Sequence, residues 1–87
     1  MSILEQILEY YPQSSKSVRV PNFDHCIIGF DEMNNRLVYD ISLILGSMVD
    51  DGLTEDEAVE FLLSNLIGSS LITVDGPIFI HTFKLDL

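Results

Sequence analysis

Basic side chains are scarce in this chain of 87 residues: Lys16, Arg19, Arg36 and Lys84 stand against 14 acids, for a formal net charge of −10 at pH 7 and an isoelectric point near 4.1. Neutralising a phosphate backbone takes clustered Lys and Arg, so direct nucleic-acid binding is not expected, nor is attraction to an anionic membrane surface. Cysteine occurs once, at Cys26, which removes an internal disulfide and fits a reducing compartment. No run approaches the roughly 18 apolar residues of a membrane span, and the start Met1-Ser2-Ile3-Leu4-Glu5 puts no basic segment ahead of an apolar one. Together these absences predict a soluble protein of the cytosol, with no membrane partner.

What is present is a foldable composition. The chain is 47% hydrophobic and 9% aromatic, with a mean hydropathy of +0.31, unlike a disordered sequence of high charge and low hydrophobicity. At this mass a folded monomer exposes roughly 5,200 Å² of the roughly 14,000 Å² of an extended chain, enough burial for one core and one domain, residues 1–87.

Ser2-Ile3-Leu4-Glu5 has the capping-box pattern, and Ile3, Leu4, Ile7, Leu8 and Tyr11 form one stripe before Pro12, which predicts a helix over 3–11. A polar connector, 13–17, leads to a short extended piece, 18–20. The apolar run 23–30 and the β-favouring run 36–40, joined through Asn34-Asn35, predict an antiparallel hairpin at the centre of the sheet. Ile41, Ile44, Leu45, Met48 and Val49 recur at helical spacing behind Asp40 as N-cap, with Gly52 as a stop, predicting a helix over 41–50. A second capping box, Thr54-Glu55-Asp56-Glu57, opens a helix over 55–67. Residues 68–76 read as a connector in which 71–74 could pair briefly. From Ile78 the alternation of Phe79, His81, Phe83 and Leu85 with Ile80, Thr82, Lys84 and Asp86 predicts a terminal strand over 78–86. The expected fold is α+β: a small antiparallel sheet packed against two or three helices.

The residues at Cys26-Ile27-Ile28-Gly29-Phe30-Asp31, Arg36-Leu37-Val38-Tyr39-Asp40, Asp51-Gly52-Leu53-Thr54-Glu55-Asp56-Glu57-Ala58 and Asn65 carry a resemblance. Over positions 24–68 the chain resembles a group of short proteins encoded by bacteriophages and prophages: an apolar run ending in Gly, an "lvYD" strand, then a "gmteeEA" helix start. These motifs are structural rather than catalytic. The resemblance implies a viral origin, and with it a small inhibitor or modulator of a host protein.

Catalysis finds little support. A thiol nucleophile needs a stabilised thiolate and a base near 3 Å, but strand neighbours face opposite ways, so His25 is not expected to serve Cys26. Cys26 shares a side with Ile28 and Phe30, the place of a small core hydrophobe. His25, His81, Cys26 and Asp24 lack the spacing of a zinc site, 50–60 lacks the EF-hand pattern, and there is no phosphate loop or G-x-S-x-G. No enzyme, cofactor or metal is expected, and His81, beside Phe79 and Phe83, is expected to be partly buried.

Charge placement stands out instead. Asp50, Asp51, Glu55, Asp56, Glu57 and Glu60 put 6 of the 14 acids into 11 consecutive residues with no basic residue among them. Glu55 and Glu57 belong to ordinary helix-start construction. Asp50, Asp51, Asp56 and Glu60 exceed it, and are expected either as a solvated face or as a partner-binding face that steers onto a basic surface of a host or viral protein and competes there with phosphates. The alternative is a structural or regulatory homodimer without mimicry, built by edge-strand or helix pairing.

Overall fold

The structure, a computed structural model, describes residues 1–67 and 76–83. Its elements are α1 (Ile3–Tyr10), a 3-10 helix (Pro12–Lys16), a 3-10 turn (Asp24–Cys26), β1 (Ile27–Asp31), β2 (Arg36–Asp40), α2 (Ile41–Asp50), α3 (Glu55–Phe61), a π-helical turn (Leu62–Ile67) and β3 (Ile78–Ile80). The fold is α+β, a three-stranded sheet in the order β1-β2-β3 packed against helices. Among the described residues no helix is long and apolar enough to cross a membrane.

The helix starts follow from local chemistry. At α1 the Glu5 N–H donates to Ser2 Oγ (3.1 Å) while the Ser2 N–H donates to Glu5 Oε1 (3.4 Å). At α3 the same exchange joins Glu57 N–H to Thr54 Oγ1 (3.2 Å) and Thr54 N–H to Glu57 Oε1 (2.9 Å). Asp40 caps α2 by accepting from the Ser42 N–H at 2.8 Å. Past α2, Gly52 takes φ 108°, a left-handed backbone that glycine adopts without a Cβ penalty, and the Leu53 N–H returns to the Met48 carbonyl at 3.1 Å. The polar connector expected at 13–17 is a 3-10 helix over Pro12–Lys16, with its Ser14 buried.

The hairpin turns through 32–35. Asp31 Oδ1 accepts from the Met33 N–H at 3.1 Å, and Asn35 takes the left-handed φ of 55° that asparagine tolerates. β1 and β2 are antiparallel, with the register shifting between Ile27 and Gly29.

Three strand expectations are corrected, two of them by one cause. β1 begins at Ile27, not at 23, because Ile27 pairs with Tyr39 and the next residues of β2 lead straight into α2, leaving 24–26 no strand to pair with. Those residues close a 3-10 turn instead, with Cys26 N–H donating to the Phe23 carbonyl at 2.9 Å. β3 ends at Ile80 for the same reason, since its last pair is with Asp40, and 81–83 is not strand; residues 84–86 of the expected strand, and the possible pairing at 71–74, lie outside the described residues. The direction of β3 also differs: it runs parallel to β2, a pairing that needs a long crossover, which α2 and α3 supply. Both ends of β3 are tied to β2 by side chains. Arg36 Nε donates to the Gly76 carbonyl at 2.7 Å, and Thr82 Oγ1 donates to Asp40 Oδ2 at 2.9 Å.

The core joins Leu4 and Ile7 of α1, Ile27, Leu37 and Tyr39 of the sheet, Ile44 and Met48 of α2, and Ala58, Leu62 and Leu66. Because of the β1 irregularity, Ile27 rather than Ile28 is the buried residue there. Tyr11 packs on Phe30 with ring centroids 5.1 Å apart, continuing the α1 stripe, while Tyr10 stays exposed. Tyr39 is fully buried, and its hydroxyl accepts from the Val20 N–H at 2.9 Å.

Candidate functional site

The acidic segment wraps the junction of α2 and α3. Asp50 is the last residue of α2 and Asp51 follows as its C-cap, at the end where unpaired carbonyls already concentrate negative charge. No basic residue occupies that last turn. Glu55, Asp56 and Glu57 form the first turn of α3, the end where anions are favoured. Backbone and side-chain hydrogen bonds from Thr54 hold the Glu57 carboxyl below its usual range. On α3, Ala58 turns to the core, which leaves Asp56 and Glu60, one helical turn apart, on the solvent side.

The four residues singled out by sequence do not converge on one cavity. Asp50 lines a groove of about 390 Å³ between α2 and α3, together with Leu45, Gly46, Val49, Val59 and Glu55. Glu60 lines a separate depression of about 380 Å³ on the other flank of α3, beside Glu57, Phe61 and Asn65. Asp51 and Asp56 are exposed and line neither. Glu55, read from sequence as a capping residue alone, is thus the acid that stands opposite Asp50. The signal for the groove was also in the sequence: Ser42, Ser47 and Asp50 are the only hydrogen-bonding or charged side chains of the ten residues of α2, too few to cover its outer face.

Neutralising partners are few. Among the described residues one ion pair forms, Arg19 with Asp24 at 3.6 Å, and both side chains are about half exposed. The Arg36 guanidinium is taken up by the carbonyls of Gly76 and Pro77. None of the acids from Asp50 to Glu60 has a cationic partner among the described residues.

Cys26 is fully buried, as expected of a core thiol, although it sits in the 3-10 turn rather than on a strand. Burial, and secondarily the Asp40 carboxylate, push its thiol up, away from the reactive thiolate. His25 turns outward instead, with Nε2 3.0 Å from Ser47 Oγ and its ring stacked near Phe23. A serine beside a histidine has the outline of nucleophile and base, but among the described residues no hydrogen bond orients the ring through Nδ1. The contact ties the 24–26 turn to α2. His81 is exposed, contrary to expectation, because the strand stops at Ile80 and the alternation that would have placed it beside Phe79 no longer applies; Phe83 is exposed as well. Among the described residues no three His, Cys, Asp or Glu side chains cluster as metal ligands. Comparison with protein-family models, with curated proteins and with solved structures finds no match to this chain.

Proposed function

We propose that the chain is a non-enzymatic, acidic protein-binding module that acts in the cytosol by occupying a basic surface of another protein, as a phage-encoded inhibitor or modulator of a host protein would. The observation that carries this reading is the uncompensated acidic junction: six exposed carboxylates around the end of α2 and the start of α3, without a cationic partner among the described residues. Two of them, Asp50 and Asp51, stand where the helix itself disfavours them, so folding does not account for their presence. A basic partner neutralises both the carboxylates and the helix end. With a net charge of −10 the chain also attracts such a partner over a distance, which raises the encounter rate at low salt. Where the partner's basic surface serves to hold phosphates, the chain competes with nucleic acid for it.

The test compares the wild-type chain with a variant carrying Asp50→Asn, Asp51→Asn, Asp56→Asn and Glu60→Gln as baits in a host-cell extract. Both are expected to melt at the same temperature, since the substitutions spare the Thr54–Glu57 cap. Only the wild type should capture its partner, and salt above about 0.15 M, where screening reaches about 8 Å, should release it. Release by duplex DNA identifies competition for a phosphate-binding surface. Undiminished capture by the neutralised variant at every salt concentration refutes the electrostatic interface.

A further inference from the structure

We propose that the outer face of α2, with Val59 of α3, is the docking surface for a basic amphipathic helix of the partner protein; this rests on the acidic reading above and names the occupant. A helix that is apolar on nearly every side is normally covered on every side. α2 turns Ile44 and Met48 into the core, yet Leu43 is 46% exposed, Val49 39% and, across the groove, Val59 42%. Val49 and Val59 line the α2–α3 groove of about 390 Å³, and Leu43 lines the adjoining depression with His25 and Ser47, the two sharing Gly46.

Gly46 lies midway along this face, and none of the described residues explains it. It is helical with an ordinary φ, and a Cβ added there would meet nothing among the described residues within 4 Å. A glycine in a helix interior is less stable than alanine by roughly 0.5–1 kcal/mol. Open space over a glycine, between apolar neighbours, suits a second helix approaching at the 8–10 Å interaxial distance of close packing. Helix-in-groove docking has this form: an apolar stripe from the partner enters between two helices.

Charge selects the partner's chemistry. Asp50 and Glu55 both line the groove, Asp51 follows Asp50 in the chain, and no cation among the described residues lines it. Lys or Arg at one end of the incoming stripe would meet these carboxylates and the last carbonyls of α2 together. A second copy of this chain would bring the same acids and a net charge of −10 of its own. The groove's charge therefore favours a basic helix over self-association.

The probe is a synthetic Leu/Lys peptide of about four helical turns with an amphipathic stripe, compared with a scrambled peptide of identical composition. Binding is followed by fluorescence anisotropy and by amide chemical shifts. The native chain is expected to bind the amphipathic peptide roughly tenfold more tightly than the scramble, with shifts centred on Gly46, Val49 and Val59. Gly46→Leu, which enters open space on a helix, should fold with undiminished melting temperature and lose roughly tenfold in affinity. Gly46→Ala should melt higher than wild type, showing that the glycine is not there for folding. Equal affinity for both peptides, or binding indifferent to Gly46→Leu, overturns the docking surface; if the neutralised variant described above still loses binding, the acidic reading survives alone. Binding sensitive to Gly46→Leu but not to neutralisation overturns the acidic reading and the basic chemistry of the occupant with it. A dimer seen by light scattering at micromolar concentration and dissociated by Gly46→Leu overturns the proposal in favour of a second copy.

Discussion

Tyr39→Phe removes one oxygen from the centre of the molecule and leaves its ring in place. The ring is fully buried against Phe79, with centroids 5.7 Å apart, and phenylalanine can keep that contact. What it cannot keep is the acceptor for the Val20 N–H, bonded at 2.9 Å in a residue only 1% exposed. An unpaired buried donor costs about 1–3 kcal/mol, more than the net value of an ordinary hydrogen bond, because the group was desolvated for a partner that is gone. With an unfolding entropy near 2.1 cal/mol/K per residue, that range is a loss of about 5–16 °C in Tm. Calorimetry or circular-dichroism melting measures it, and amide exchange at Val20 reports the site itself: the protected N–H of the wild type should exchange faster in the variant. Equal melting temperatures together with unchanged protection of Val20 would refute the claim that this bond anchors the 18–20 segment to the sheet. The same phenol gives a pH readout. Burial pushes the Tyr39 pKa above the usual phenol range, despite the opposing Val20 hydrogen bond. A raised folded-state value means that its stabilisation is complete below the unfolded pKa of about 10 and is lost as pH rises through the folded value.

Thr54→Ala should lower stability by about 1 kcal/mol, read as a fall of about 5 °C in Tm, because the Glu57 N–H loses its side-chain acceptor at the start of α3. The cap also has an acid limb: since the folded Glu57 pKa is lowered, chiefly by the Thr54 backbone N–H, its contribution is present above the ordinary carboxylate pKa of about 4.3 and fades as pH falls through the lower folded value, a loss that Glu57→Gln, compared with the wild type, should not show. Equal acid profiles for the two proteins would remove Glu57 from the account. Cys26 should react with a thiol reagent at neutral pH far more slowly than a free model thiol, accelerating only in denaturant, since it is fully buried with its thiol pKa raised; rapid labelling of the native chain would contradict its placement.

What the sequence determined by itself is what neighbours along the chain can decide. Ser2 with Glu5, Asp40 with the Ser42 N–H, and Thr54 with Glu57 each satisfy helix-end groups within three residues, so these starts were legible and the structure has them. The hairpin was legible for the same reason, since Asp31, Asn34 and Asn35 shape its turn locally. The acidic run was visible as composition, and its exposure followed from its charge. Tertiary structure decided whatever depends on a partner distant in sequence. A strand extends only as far as its neighbour: because β2 passes into α2 at Asp40, β1 cannot begin before Ile27 and β3 cannot continue beyond Ile80, which placed Cys26 in a turn, sent His25 to Ser47 and left His81 exposed. The crossover through α2 and α3 made β3 parallel, which no alternation pattern within 78–86 encodes. The groove likewise exists only where α3 lies against α2, setting Glu55 opposite Asp50 and leaving Gly46 open between them. Periodicity shows that a helix has an apolar face, but the packing of its neighbours determines whether that face is covered.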